Sequence, residues 1–239
     1  MSILTLSGLA QESILARSAV ATNYIVPAAT FTNTTPTSAA AGAKTTLTSA
    51  GAHGLTAAVA VNKSIYISAG TGWTVGLYNI SSIDLDTTGV AITIDVAFDA
   101  GFGTPTIALA NTAGVLATIA VPPLGINSSI EIDATWTVPN NGNTKTPSIR
   151  WGGVTFFAPP LTTSVTERPT PVVIQNRGAT NSQVSSFSAG SSVQSSTSTA
   201  APITGTIDTS VATTLTLVGQ AATANDYVVL ERYIVKYWL

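Results

Sequence analysis

The sequence predicts an all-β protein, and three observations predict it. Apolar and polar residues alternate in many short runs, Gly, Pro and Asn clusters separate those runs at hairpin spacing, and helical periodicity is nearly missing. The expected architecture has three parts. They are an N-terminal arm and linker over residues 1–52, a small antiparallel β-barrel or sandwich over 53–112, and a jelly-roll β-sandwich over 113–239.

The arm opens with MSILTLSGLAQESILARSAV. Ser7 is placed to cap a short helix with Leu9, Ile14, Leu15 and Val20 loosely at helical spacing, whereas Gly8 and the β-branched residues suit an extended arm; both readings stay open. Ile3, Leu4, Leu6, Leu9, Ile14 and Leu15 have no evident domain of their own to pack into, so docking on another protein is expected of them. From Pro27 to Gly51, PAATFTNTTPTSAAAGAKTTLTSAG is small-residue sequence without strong periodicity and reads as a linker or as an arm lying over another surface.

In the second part, KSIYISA (Lys63 to Ala69), VGLYNISSIDLD (Val75 to Asp86) and VAITIDVAF (Val90 to Phe98) are strand candidates, joined by GTGW and TTG turns. In the third, LATIAVPP, SSIEIDATWTVP, PSIRWGGVTFFAPPL, PTPVVIQNRG, PITGTIDTS, TTLTLVGQA and DYVVLERYIVKYWL follow one another across turns, of which PNNGNTKTP (Pro139 to Pro147) is the clearest. That many antiparallel strands in one unit suits a jelly roll. A long Ser-rich loop separates Asn176 from Pro202, a length that is normally either functional or ordered by a neighbour.

The final strand, DYVVLERYIVKYWL, has no polar face, although a sheet strand of a monomer usually has one. Two-residue alternation assigns Val228, Leu230 and Ile234 to the core. It leaves Tyr233, Val235 and Tyr237, with Trp238 and Leu239 at the chain's end, to face a sister subunit. Composition agrees with covered faces. Charged residues are 8%, against about 25% in an average globular domain, and so neutral a surface favours association.

Composition also excludes function classes. With Cys 0 there is no disulfide, thiolate metal site or cysteine nucleophile. Net charge is -2 and the nine basic residues never form a run, so no nucleic-acid partner is expected. No apolar run reaches the roughly 18 residues of a spanning helix, so no membrane insertion is expected. The N-terminus lacks a basic region and carries Glu12 and Arg17, so no secretory leader is expected either.

Candidate chemistry is sparse, and neither an enzyme nor a cofactor or metal is expected. The one histidine, His53, lies in AGAHGLT with no nucleophile elbow near it, which suits a turn histidine better than a triad. Glu131 and Asp133 are two residues apart on one strand face, with Cα atoms about 6–7 Å apart. Trp136 lies on the opposite face, so the aromatic lining of a glycosidase cleft is missing. Asp84 and Asp86 lack the rest of a calcium loop and suit Asx caps of a turn. Gly70 and Gly72 precede no helix that would hold a phosphate. Trp73, Trp136 and Trp151 read as core or interface anchors. NRGATNSQ is the richest cluster of hydrogen-bonding groups: Asn176, Arg177, Asn181 and Gln183 either tie the long loop down or recognise a host-surface carbohydrate.

Two stretches carry a resemblance. AHGLTAAVAVNKSIYISAGTGWTVGLYNISSIDLDTTGVAITI, and RWGGVTFF followed by NRGATNSQ, IDTSVATTLTLVGQ and VVLERY, resemble tailed-bacteriophage virion proteins over most of the chain after residue 52. The resemblance implies a trimer-forming jelly roll on the virion exterior, synthesised in the host cytoplasm. Capsid decoration (cement) proteins carry such modules, as do head fibres, tail fibres and receptor-binding proteins. The distinctive arm and the missing repetitive shaft favour a decoration protein bound to the major capsid protein. The alternative is a fibre or receptor-binding protein that recognises a host surface glycan through the Asn176 to Pro202 loop and the Asn140 to Asn143 turn.

Overall fold

A computed structural model describes residues 12–40, 42–163, 166–167, 171–188 and 201–238. The chain begins with β1 (Glu12–Ser18) and β2 (Thr22–Ile25). It continues through β3 (Thr35–Thr37), β4 (Lys44–Thr48), the short helix α1 (Ala57–Ala60), β5 (Ser64–Ala69), β6 (Gly76–Ile83), β7 (Ala91–Ala97) and β8 (Thr106–Ile107). Then come β9 (Ala113–Val121), β10 (Ser129–Thr137), β11 (Ser148–Trp151), β12 (Val154–Phe157), β13 (Thr166–Glu167), β14 (Val172–Asn176), β15 (Gln183–Ser188), β16 (Pro202–Gly205), β17 (Thr213–Gln220) and β18 (Tyr227–Trp238). The fold is all-β, with antiparallel sheets.

The larger unit is a jelly roll, and its pairing order shows why. The outermost strands β1 and β2 both pair β18. Moving inward along the chain, β9 pairs β17, β10 pairs β14, and β11 pairs β12. First-with-last pairing at every level is one long antiparallel hairpin rolled onto itself. Cross-pairs β10–β18 and β11–β17 then gather the strands into an eight-stranded and a four-stranded sheet. The β15–β16 hairpin extends the larger sheet beyond β14.

The apolar residues between the sheets follow the pleat. Along SIEIDATWT, Ile130, Ile132, Ala134 and Trp136 are buried while their neighbours are half-buried. Trp151, Phe156, Leu215 and Leu217 fill the opposite sheet's inner face, and the Trp151 indole donates to Thr213 Oγ1 at 2.8 Å. An aromatic this large buried with its N–H satisfied is worth several kcal/mol of core stability, on the order of 3–5 by truncation.

The linear partition expected from the sequence gives way to a nested one. Residues 27–51 are not a linker. Their β3 and β4 belong to a six-stranded sheet of order β3-β4-β7-β6-β5-β8, and Phe31 and Leu47 are fully buried in its core. Thr supplies most of KTTLT, which gives β-branched strand propensity without the apolar alternation that announces a strand. The unit is therefore an insertion between the first and second levels of the jelly roll. With β3 and β8 at opposite edges, the sheet stays open rather than closing into a barrel.

β2 ties the two units together. Tyr24 and Val26 lie in the jelly-roll core while Ile25 lies in the insertion's core. The Tyr24 hydroxyl donates to the carbonyl oxygens of Ala108 at 3.0 Å and Thr112 at 3.3 Å, where the insertion returns to β9. Asn23 Oδ1 accepts the Ser64 N–H at 2.7 Å, and Lys63 lies 4.4 Å above the Tyr227 ring.

Candidate assembly surface

The final strand keeps its alternation only as far as Leu230. Thr135 faces Arg232 while Trp136 faces Leu230, so Glu231 is the extra residue of a β-bulge. One extra residue reverses which side chains point inward. Val228 and Leu230 are core as expected, but beyond the bulge the core residue is Val235, at 0% exposure, and not Ile234. Tyr233 and Tyr237 pack against the same core. The expectation that Val235 faces a sister subunit is thereby corrected, because it is fully buried, whereas Tyr233 and Tyr237 are half-buried and Tyr233 also borders the outward concavity beside Arg232. Trp238 is half-buried at the strand's end, and Leu239 lies outside the described residues.

The face left outward carries Ile234 and Lys236 of β18 beside Glu131 and Asp133 of β10. Arg232 Nη2 lies 3.2 Å from Asp133 Oδ2, and Lys236 Nζ lies 3.8 Å from Glu131 Oε1. Each such half-exposed pair is worth about 0–1 kcal/mol. Their larger effect is to neutralise the strip between β10 and β18, where Glu131 and Asp133 are both engaged in ion pairs. Ile14 and Arg17 of β1 extend this face, opposite Lys236 and Ile234. A shallow concavity opens here between Arg17, Ala19, Arg232 and Ile234.

Of the expected docking arm, Ile3, Leu4, Leu6 and Leu9 lie outside the described residues. Glu12–Ser18 is a strand, not a helix. Ile14 is 56% exposed and stays available, whereas Leu15, set off by a second bulge between Ile14 and Ala16, packs against the sandwich core. Leu15 is thus removed from the docking set. Val20, at 77%, is the most exposed large apolar side chain among the described residues and stands just beyond β1.

The NRGATNSQ cluster divides the same way. Asn176 and Gln183 are buried. The Gln183 amide donates to Asn176 Oδ1 at 2.8 Å, Ile207 O at 3.0 Å and Thr180 O at 3.1 Å, and its carbonyl accepts the Ile207 N–H at 2.8 Å. Asn176 donates to Gly125 O at 2.7 Å and Thr209 Oγ1 at 2.8 Å. Both amides are consumed inside the fold and cannot touch a glycan. Arg177 and Asn181 are exposed.

His53 is fully buried in the insertion. Its Nδ1 accepts the Leu55 N–H at 3.0 Å, which leaves the proton on Nε2, 3.1 Å from Asp84 Oδ1. Asp84 Oδ2 accepts the Val90 N–H at 2.9 Å, and Asp86 Oδ1 accepts the Ala57 N–H at 2.7 Å. Gly89 is required here, since a Cβ would collide with Asp84, the Leu85 carbonyl and His53 Nε2. These groups anchor turns. Trp73 stacks on Phe102 with ring centroids 4.3 Å apart, and its N–H goes to Gly103 O at 2.7 Å. Among the described residues, no three His, Cys, Asp or Glu side chains cluster as metal ligands.

Sequence reasoning missed Ile234 and Lys236 as outward residues. The available signal was the adjacent charged pair Glu231-Arg232 in the middle of a largely apolar strand, a place where alternation slips.

No family model matches the chain, and no curated protein matches it. Among solved structures, it is similar to one described as the structure of infectious bursal disease virus Gx strain, at 11% identity and a TM-score of 0.20, covering 100% of this chain and 62% of that one. A second, from the Gt strain of the same virus, shows 10% identity and a TM-score of 0.17, covering 96% of this chain and 66% of that one. The chain thus spans less than two thirds of either solved chain, and similarity at these scores establishes no shared fold.

Proposed function

We propose that this chain is a structural protein of a tailed-bacteriophage virion. In this reading it is a decoration (cement) protein that sits on the capsid exterior as a homotrimer and braces the major capsid protein shell. The observation that carries the reading is the outward face of the eight-stranded sheet. Its β10 and β18 charges are neutralised in cross-strand pairs and Ile14 is left 56% exposed beside them. A sister copy laid on that face would cover Ile14 and Ile234 over charges already paired between β10 and β18, while Arg17, exposed on β1, would take an acceptor from that copy or stay at the wet rim. The low charge content of the whole chain, 8%, supports the same reading.

Residues 1–11 precede β1 at this face, and in this reading their apolar side chains supply the contact with the shell. Each arm contributes modest burial. Trimerisation makes the second and third contacts intramolecular, which raises affinity by avidity without new chemistry. Bridging several capsid subunits then opposes their separation.

Removing residues 1–11 is expected to abolish binding to purified capsids while the oligomer persists in size measurements. Retained binding would overturn the arm's role. Truncation to residue 26 is no substitute, because it strips β1 and β2 from the sandwich. Microscopy of whole virions tests the location itself. Density repeated at many icosahedral positions on the head is expected. Density confined to the tail or a unique vertex, where a glycan-recognising fibre would stand, overturns decoration.

A further inference from the structure

The PNNGN turn between β10 and β11 holds a charged cluster that the assembly function does not use. Lys145 is 0% exposed and Asp226 is 3% exposed. Between them sits the Asn141 carboxamide: Lys145 Nζ lies 2.6 Å from Asn141 Oδ1, and Asn141 Nδ2 lies 2.6 Å from Asp226 Oδ1. Nζ has longer contacts to Asn141 O at 3.4 Å and Thr162 O at 3.3 Å. Asn141 Oδ1 also accepts the Asn143 N–H at 3.2 Å. The second oxygen of Asp226, Oδ2, is buried without a hydrogen-bond partner among the described residues.

The arrangement sets four roles around one carbon. An amine stands beside a carboxamide carbonyl, a backbone N–H points at the oxygen where negative charge would develop, and a carboxylate touches the amide nitrogen that would leave. The backbone holds the parts in place. Lys145 exchanges N–H and C=O bonds with Leu161 at 2.8 and 2.7 Å, and Asp226 accepts the Val26 N–H at 3.1 Å. Orientation of this kind substitutes for much of the barrier of an otherwise slow amide exchange.

We infer that Lys145 and Asn141 form an intramolecular isopeptide bond, with Asp226 as the proton acceptor. One Nζ proton passes to Asn141 Oδ1 while the Nδ2–H that touches Asp226 passes to its carboxylate, and the freed Nζ attacks Asn141 Cγ. The oxygen of the tetrahedral intermediate is held by the Asn143 N–H. A second Nζ proton goes to Nδ2, the proton on the oxygen follows as the Cγ–Nδ2 bond breaks, and ammonia departs. Ammonium, carboxamide and carboxylate thus become a secondary amide, one ammonia and a carboxylic acid; atoms and charge balance, and no oxidant or cofactor enters.

Two physical features favour the reaction. Burial pushes the Lys145 ammonium down from its ordinary pKa, although the nearby Asp226 charge opposes that shift. The products are also neutral. Buried charges that meet only through an amide, with one carboxylate oxygen unpartnered, are an unfavourable starting state that the reaction removes. A five-residue cross-link closes too short a loop to gain much entropy, so its effect is to lock the turn rather than to raise global stability.

Intact-mass measurement of the purified full chain tests this directly. The expected mass is lighter than that of the sequence by one ammonia, with tryptic cleavage after Lys145 lost. Both Lys145→Arg and Asp226→Asn are expected to restore the sequence mass. A native chain at the full sequence mass overturns the inference, and that result needs no variant to fold. So does a lost ammonia with cleavage after Lys145 intact, because a succinimide at Asn141-Gly142 would give that result and would persist in Lys145→Arg.

Discussion

Two turns of this molecule are anchored by buried side chains, and different physics anchors each. In the jelly roll, the 176–183 turn is held by carboxamides and hydroxyls alone, with Asn176, Gln183 and Thr209 all buried. In the insertion, the turn from Asp84 to Val90 is held by a carboxylate and the buried His53. Neutral networks hold equally well across pH, whereas an ionised anchor holds only while its charge persists. The contrast follows position. A turn sealed between sheets cannot host an unpaired charge cheaply, but Asp84, with its side chain 34% exposed, keeps contact with water.

The neutral network makes the strongest prediction. Gln183→Ala removes partners from the Ile207 N–H, the Ile207 carbonyl and Asn176 Oδ1 at once. Buried groups left unpaired cost about 1–3 kcal/mol each, and some would be rehydrated, so a loss of roughly 3–5 kcal/mol is expected in denaturant unfolding. The loss should be the same at pH 7 and pH 3. A loss that varied with pH would mean that charge enters the network after all.

A milder break comes from Thr209→Val, which keeps shape and deletes one hydroxyl. That hydroxyl donates to Thr180 O at 2.8 Å and accepts from Asn176 at 2.8 Å. The expected cost is about 1–2 kcal/mol, read from the unfolding midpoint. It should not add to that of Gln183→Ala in the double variant, because both act through Asn176. Full additivity would show two separate networks.

How far these features could be read from the sequence depended on what a side chain's type reveals. SIEIDATWT alternates strictly, and its apolar members are the buried ones. DYVVLERYIVKYWL alternates too, but a bulge at Glu231 inverts its second half, and a bulge leaves no mark in apolar periodicity. KTTLT formed a strand on Thr propensity alone, which composition cannot tell from a polar linker. His53 and the two aspartates read correctly as turn residues because small, turn-forming neighbours surround them. Asn176 and Gln183 left two readings open, tying the loop down or touching a carbohydrate, because amides are ordinarily exposed. Their burial depends on Ile207 and Thr209, far along the chain, and no local pattern carries that information. Lys145 was hidden for the same reason.

The ionic anchor makes the smallest prediction and the one most specific to the comparison. Burial disfavours the charged form of Asp84, but N–H groups of Val90, Leu85 and Ala91, together with His53, outweigh it and hold the carboxyl at about 2. An unfolded aspartate titrates near about 3.9. A folded value below the unfolded one means that the stabilisation is complete above that range and is lost as pH falls through it toward about 2. Solvent screening at a side chain one-third exposed keeps the effect under about 1 kcal/mol. Asp84→Asn should therefore be less stable than the native chain at pH 7, and the gap should narrow between about pH 4 and pH 2, whereas the Gln183→Ala gap stays constant. A gap for Asp84→Asn that is flat across that window would place both anchors in the same class and dissolve the distinction between the two turns.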